Sequence, residues 1–124
     1  MIRVFHCDDS LAYRRLVRAM LETEPDISIV GEAADHAGAI TGITEVHPDV
    51  VLLDMVVGPV DPDFPAALSA AAPGARVIIL SGHPLERVEP ALRAIAATHV
   101  RKSTTFEELA QAVRAAAAES TNVQ

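Results

Sequence analysis

Asp8, Asp9, Asp54, Ser81 and Lys102 are the side chains best suited to chemistry, because each closes or follows a candidate strand, apolar-rich in every case but the short one before Lys102. Asp8-Asp9 follows Ile2 to Cys7, Asp54 closes Val50-Val51-Leu52-Leu53, Ser81 follows Arg76 to Leu80, and Lys102 follows Thr98 to Arg101. Unbroken apolar runs such as Val50 to Leu53 suggest strands buried on both faces, since a half-buried strand would alternate. In open parallel α/β sheets, ligands bind beyond the carboxyl ends of the strands. Three carboxylates, a hydroxyl and an ammonium can therefore meet on one rim. Clustered acids repel one another unless a cation compensates them, and hard oxygen ligands of this kind suit Mg²⁺. A carboxylate that attacks phosphorus needs such a cation, a second positive charge and hydrogen-bond donors around the equatorial oxygens. Taken singly, each residue has an ordinary reading: Asp8-Asp9 as a helix cap, Asp54 as the start of a turn, Ser81 as an N-cap, Lys102 as a solvated strand end. Four strand ends converging on one rim favour the chemical reading.

The intervening segments must place those ends side by side. Ser10 is a suitable N-cap for a helix running to about Thr23, with Tyr13, Leu16, Val17 and Met20 at helical spacing and Arg14, Arg15 and Arg18 largely opposite. Pro25 ends it. Ile27 to Val30 reads as a short second strand, and the stretch from Glu32 to Val46 as a helix weakened by Gly38 and Gly42. His47-Pro48-Asp49 turns into the Asp54 strand. Gly58 to Pro65 is a loop rich in proline and acid beside Asp54, followed by a short helix, Ala66 to Ala72, that Pro73-Gly74 stops. Leu85, Val88, Leu92 and Ile95 mark a fourth helix that Pro90 should kink or shorten. A short fifth strand is expected over Thr98 to Arg101. Thr105 and Glu108 have capping-box spacing ahead of a last helix with Phe106, Leu109, Ala110, Val113 and Ala117 as its apolar stripe. Five strand-helix repeats imply a parallel sheet covered on both faces, with right-handed crossovers. The domain is expected to occupy 1–118, and 119–124 to form a polar, frayed tail.

A chain of 124 residues, half of them apolar, suits one domain with a core of its own. The formal net charge of −7 opposes nonspecific nucleic-acid binding by this chain alone. The single cysteine excludes an internal disulfide, and Cys7 within an apolar run reads as a buried small hydrophobe. No stretch approaches about 18 uninterrupted apolar residues, and the N-terminus enters a strand pattern rather than a signal peptide. A soluble, cytoplasmic protein without a membrane partner is expected. His6, His36, His47 and His83 share no metal-binding spacing and are given no catalytic role.

The sequence resembles a receiver domain of the two-component response-regulator family over about residues 2 to 118. It is especially similar to the subfamily that usually continues into a C-terminal LuxR-type helix-turn-helix, through Ile2-Arg3-Val4, Asp8-Asp9-Ser10, Glu24-Pro25-Asp26, Val30-Gly31-Glu32-Ala33, Pro48 to Met55 and Pro73 to Val77. The resemblance implies a flavodoxin-like (βα)5 doubly wound parallel sheet in strand order 2-1-3-4-5. It implies that Asp54 accepts a phosphoryl group from a sensor histidine kinase. Mg²⁺ would be held by Asp9, Asp54 and the backbone carbonyl of Val56, with Asp8 acting mostly through water. Ser81 takes the position of the switch hydroxyl and Lys102 that of the phosphate-binding lysine.

Several positions depart from the family pattern. Val57-Gly58-Pro59 replaces the usual methionine-proline pair after the phosphoacceptor, His99 stands where a switch tyrosine or phenylalanine is usual, and Ser103 replaces the common proline after the lysine. The expectation is a signalling switch that dephosphorylates slowly, not a turnover enzyme. It would regulate transcription if part of a longer regulator, and could form a homodimer through the fourth helix, fifth strand and fifth helix. The alternative is a pseudo-receiver, a phosphorylation-independent interaction module that keeps the acidic pocket. A flavodoxin-like cofactor binder is disfavoured: no Gly-rich phosphate loop follows the first strand, and aromatics make up only 3% of the chain.

Overall fold

A computed structural model describes residues 1–54, 61–82 and 90–122. The strands are β1 (Ile2–Cys7), β2 (Ile27–Ala33), β3 (Val50–Asp54), β4 (Arg76–Ser81) and β5 (Ala96–Arg101). The helices are α1 (Leu11–Leu21), α2 (His36–Val46), α3 (Phe64–Ala71), α4 (Pro90–Ile95) and α5 (Phe106–Asn122). All strand pairs are parallel, and the sheet order is β2-β1-β3-β4-β5. The expected (βα)5 architecture is present, with β1 and β3 side by side at its centre.

The unbroken apolar run of β3 is explained by its two faces. Val51 and Leu53 join Phe5, Ile43, Leu68, Ile79 and Leu92 in the core beneath α2, α3 and α4. Val50 and Leu52 join Val4, Val17, Leu21, Ile78, Leu80, Leu109 and Val113 beneath α1 and α5. Each strand residue between the two layers meets apolar atoms, so no polar alternation survives in the sequence. Phe5 is enclosed by two glycines: a Cβ built on Gly31 or Gly42 would lie 2.8 or 2.6 Å from its ring. Gly42, which weakens the helical signal of α2, thus leaves room for the Phe5 ring between helix and sheet.

Several boundaries differ from the sequence-based expectation. β2 continues through Gly31 and Glu32 to Ala33, since its hydrogen-bonding to β1 carries on past the irregularity between Val4 and Phe5. α3 begins at Phe64, with Pro65 in the first turn where its missing N–H is no loss, so two residues assigned to the loop are helical. β5 starts at Ala96 rather than Thr98 because Ala96 already pairs with Val77. In α1 the buried residues are Val17 and Leu21, whereas Leu16 and Met20 are 46% and 41% exposed. α5 continues past Ala118 to Asn122, and Arg76 Nη2 lies 3.2 Å from Glu119 Oε2, so the polar segment from Glu119 is helical there. Gly58, Pro59, His83, Leu85 and Val88 lie outside the described residues. Among the described residues no helix is long and apolar enough to cross a membrane.

Candidate functional site

Register brings the acids together. Cys7 pairs with Leu53 across β1 and β3, so Asp8, just past β1, and Asp54, the last residue of β3, come out as neighbours at the rim. Asp8 is almost fully buried; its N–H donates to Ala33 O at 3.0 Å, and its Oδ1 accepts the Ser10 N–H at 2.8 Å. The Ser10 hydroxyl in turn caps α1, accepting the Tyr13 N–H at 3.1 Å. One short turn therefore fixes Asp8 and starts the helix. Asp9 is exposed beside it. Asp8, Asp9 and Asp54 each offer a carboxylate oxygen within 4.8 Å of the others.

Lys102 reaches this cluster from the end of β5. Its N–H donates to Ser81 O at 2.8 Å, and its Nζ lies 3.0 Å from Asp8 Oδ2 and 3.0 Å from Asp54 Oδ1. Burial works against the ammonium, but hydrogen bonding to Asp8 and Asp54 outweighs it and raises the Lys102 pKa. Asp54 is also raised: burial is the main cause, the Lys102 hydrogen bond opposes it, and the Asp8 and Asp9 charges add to it. The pocket thus holds more negative charge than Lys102 neutralises. That surplus, on hard oxygen donors grouped within 4.8 Å, suits a divalent cation such as Mg²⁺. Lys102 and Ser10 already engage both Asp8 oxygens, and Asp9 is the exposed member of the cluster.

Ser81 is buried at the end of β4, opposite Arg101, and His99 sits two residues earlier on β5, opposite Ile79. The structure therefore places Asp8, Asp9, Asp54, Ser81 and Lys102 on one rim, with His99 on the neighbouring edge strand. Val56, the expected carbonyl ligand, lies outside the described residues, as does Val57.

Two residues in this environment had no functional role in the sequence reading. His6 is buried below Asp8, its Nε2 3.8 Å from Asp8 Oδ2; burial lowers its pKa to about 4, despite the opposing pull of Asp8 and Glu32. Tyr13 lies under Lys102, whose Nζ is 4.3 Å from the ring centroid. The available signal for Tyr13 was its position, one helical turn beyond Asp9 and on the face that carries Val17. Cys7 is buried as expected, and burial raises its thiol to about 12, which makes it a poor nucleophile.

The fold is a doubly wound parallel α/β domain with an acidic cluster at the ends of β1 and β3, and comparison with known proteins gives the family. Residues 4–114 match the response regulator receiver domain, and the chain belongs to that family. It is 32% identical over 118 residues to the transcriptional regulatory protein LiaR of Bacillus subtilis, covering 94% of this chain and 56% of that protein. It is 34% identical over 108 residues to a protein-glutamate methylesterase/protein-glutamine glutaminase of Myxococcus xanthus, covering 85% of this chain and 31% of that one. A LuxR-family two-component response regulator from Aurantimonas sp. superposes with a TM-score of 0.80 at 30% identity, over 94% of this chain and 85% of that one. The chain thus spans about half the LiaR length and less of the methylesterase.

Proposed function

We propose that this chain is a phosphorylatable switch in which Asp54 accepts a phosphoryl group from a sensor histidine kinase in the cytoplasm. The observation that carries this reading is the placement of Lys102 Nζ 3.0 Å from both Asp8 and Asp54, with Asp9 completing an acidic cluster. In the transfer, an Asp54 oxygen attacks phosphorus in line, the P–N bond of a phosphohistidine breaks, and the imidazole leaves. Asp54 must be ionised to attack, and Lys102 favours that state while lying close enough to meet the incoming phosphoryl oxygens. Mg²⁺, held by Asp9, Asp54 and the Val56 carbonyl and reached by Asp8 through water, would supply charge neutralisation between two anions. Water later hydrolyses the acyl phosphate slowly, so the chain behaves as a timed switch and not as a turnover enzyme.

Ser81 and His99 are proposed to respond to the phosphoryl group and to alter the surface of α4, β5 and α5, through which a second copy or another partner would bind. The name of LiaR supports transcription regulation as the output if this domain works within a longer regulator; the net charge of −7 argues against DNA contact by this chain alone. Intact mass after incubation with Mg²⁺ and phosphoramidate tests the reading. A gain of one phosphoryl group, lost in Asp54→Asn, is expected. No gain, or a stable phosphate on Ser81, would favour a phosphorylation-independent interaction module.

A further inference from the structure

We propose that Tyr13 is a positioning residue for Lys102: its ring face holds the ammonium against the acid cluster, so the cation is in place when the phosphoryl group arrives. The proposal rests on the phosphoacceptor reading of the same site. Lys102 Nζ stands 4.3 Å from the ring centroid, inside the distance at which a cation is attracted to an aromatic face. A lysine stem is flexible and its ammonium strongly hydrated, so two carboxylates on one side do not by themselves define its position. The ring face gives the ammonium a third contact.

Tyr13 is itself well fixed. Its N–H donates to Ser10 Oγ, and the Ser10 N–H donates to Asp8 Oδ1, so the turn that sets the ring is tied to the acid that Lys102 contacts. The His6 ring meets it edge to face at 6.0 Å and 67°, and His6 is itself buried in β1. The arrangement matters most after transfer. Once one Asp54 oxygen carries the phosphoryl group, the contact between Lys102 and Asp54 must rearrange, whereas the ring and Asp8 remain where they were. Tyr13 thus gives Lys102 a fixed support in both states.

The test uses the whole chain with phosphoramidate and Mg²⁺, following intact mass over time for Tyr13→Phe and Tyr13→Leu. Phenylalanine keeps the ring face and should retain the rate to within about twofold, whereas leucine should slow it about three- to tenfold. In the unaltered protein and Tyr13→Phe, the Lys102 ε-methylene protons should be shifted upfield by the ring current, and the shift should vanish in Tyr13→Leu. A leucine variant as fast as the parent, or a phenylalanine variant as slow as leucine, would overturn the proposal. So would unshifted ε-methylene signals in the unaltered protein, which decides the matter even if the leucine variant fails to fold. An unaltered protein that takes no phosphoryl group sinks the phosphoacceptor reading instead, a distinguishable result.

Discussion

Asp54 Oδ1 lies 3.0 Å from the Lys102 ammonium, yet the Asp54 carboxyl is held above its usual range, because burial and the Asp8 charge outweigh the pairing. A carboxyl whose folded pKa is raised contributes stability that is full below the unfolded value of about 3.9 and is lost as pH rises through the folded one. At neutral pH the ionised Asp54 therefore costs stability. Asp54→Asn keeps the shape and removes the charge, so its melting temperature should exceed the parent's by about 2–5 °C at pH 7. The gain should shrink as pH falls toward 4. A variant less stable than the parent at pH 7 would mean that Lys102 needs both carboxylates more than the pocket suffers from them.

The same surplus charge predicts a metal effect. Mg²⁺ at ten times its dissociation constant should stabilise the folded chain by about 1.4 kcal/mol through mass action. Asp9→Ala removes the exposed member of the cluster and should lose most of that stabilisation, along with Mg²⁺-dependent phosphorylation. Thermal melts with and without chelator measure it. Equal Mg²⁺ stabilisation in the two proteins would move the metal away from Asp9.

His6 should dominate the acid side of the stability curve. Its folded pKa of about 4 lies below the ordinary 6.5, chiefly through burial, so the unfolded chain takes up a proton that the folded chain refuses. Stability is full above pH 6.5 and falls as pH drops through that window toward 4, by about 3 kcal/mol for a shift of this size. His6→Leu should flatten the curve between those values. Denaturant melts at pH 7 and pH 4.5 measure the difference, and parallel losses in both proteins would assign the slope to other groups.

Gly42 offers a packing test. The cost of forcing a Cβ to within 2.6 Å of the buried Phe5 ring, about 1–3 kcal/mol, should exceed the helical gain of about 1 kcal/mol from alanine. Gly42→Ala is thus expected to be destabilising on balance. Gly74→Ala, with nothing within 4 Å of its added Cβ, serves as the neutral control. Equal denaturation midpoints for the two variants would show that Phe5 can move aside.

The sheet was legible because Val50 to Leu53 and Val77 to Leu80 have no polar interruptions, and the rim because Asp54 and Ser81 follow those runs directly while Asp8-Asp9 and Lys102 end two further strand segments. What was not legible depends on partners distant in sequence. Leu16 and Met20 match the helical period as well as Val17 does, and only the placement of α1 on the sheet decides that they stay exposed. Gly31 and Glu32 fall outside the strand that the sequence suggests, Ile27 to Val30, since their pairing with Phe5 and His6 is a property of the neighbouring strand. Tyr13 reads as core, because no local pattern announces that Lys102, at the far end of the chain, will lie over its ring.

The last prediction concerns how modification of Asp54 reaches the surface. Ser81 is buried beside the rim, its carbonyl accepts the Lys102 N–H, and its strand partner Arg101 is the residue before that lysine. A phosphoryl group that draws Lys102 and Ser81 toward it therefore pulls on the ends of β4 and β5 together. His99, two residues back on β5, and the start of α5, whose Glu108 N–H is capped by Thr105 Oγ1 at 3.1 Å, lie next along the chain. Such a switch requires only a few kcal/mol of differential binding between two states. With Mg²⁺ and beryllofluoride as a phosphoryl mimic, amide signals of Ser81, His99, Val100, Lys102 and α5 as far as about Val113 should shift. Self-association or partner binding through that surface should change in parallel. Shifts confined to Asp8, Asp9 and Asp54, with association unaltered, would leave a pocket that binds an anion without transmitting it, and the phosphorylation-independent interaction module would then be the better reading.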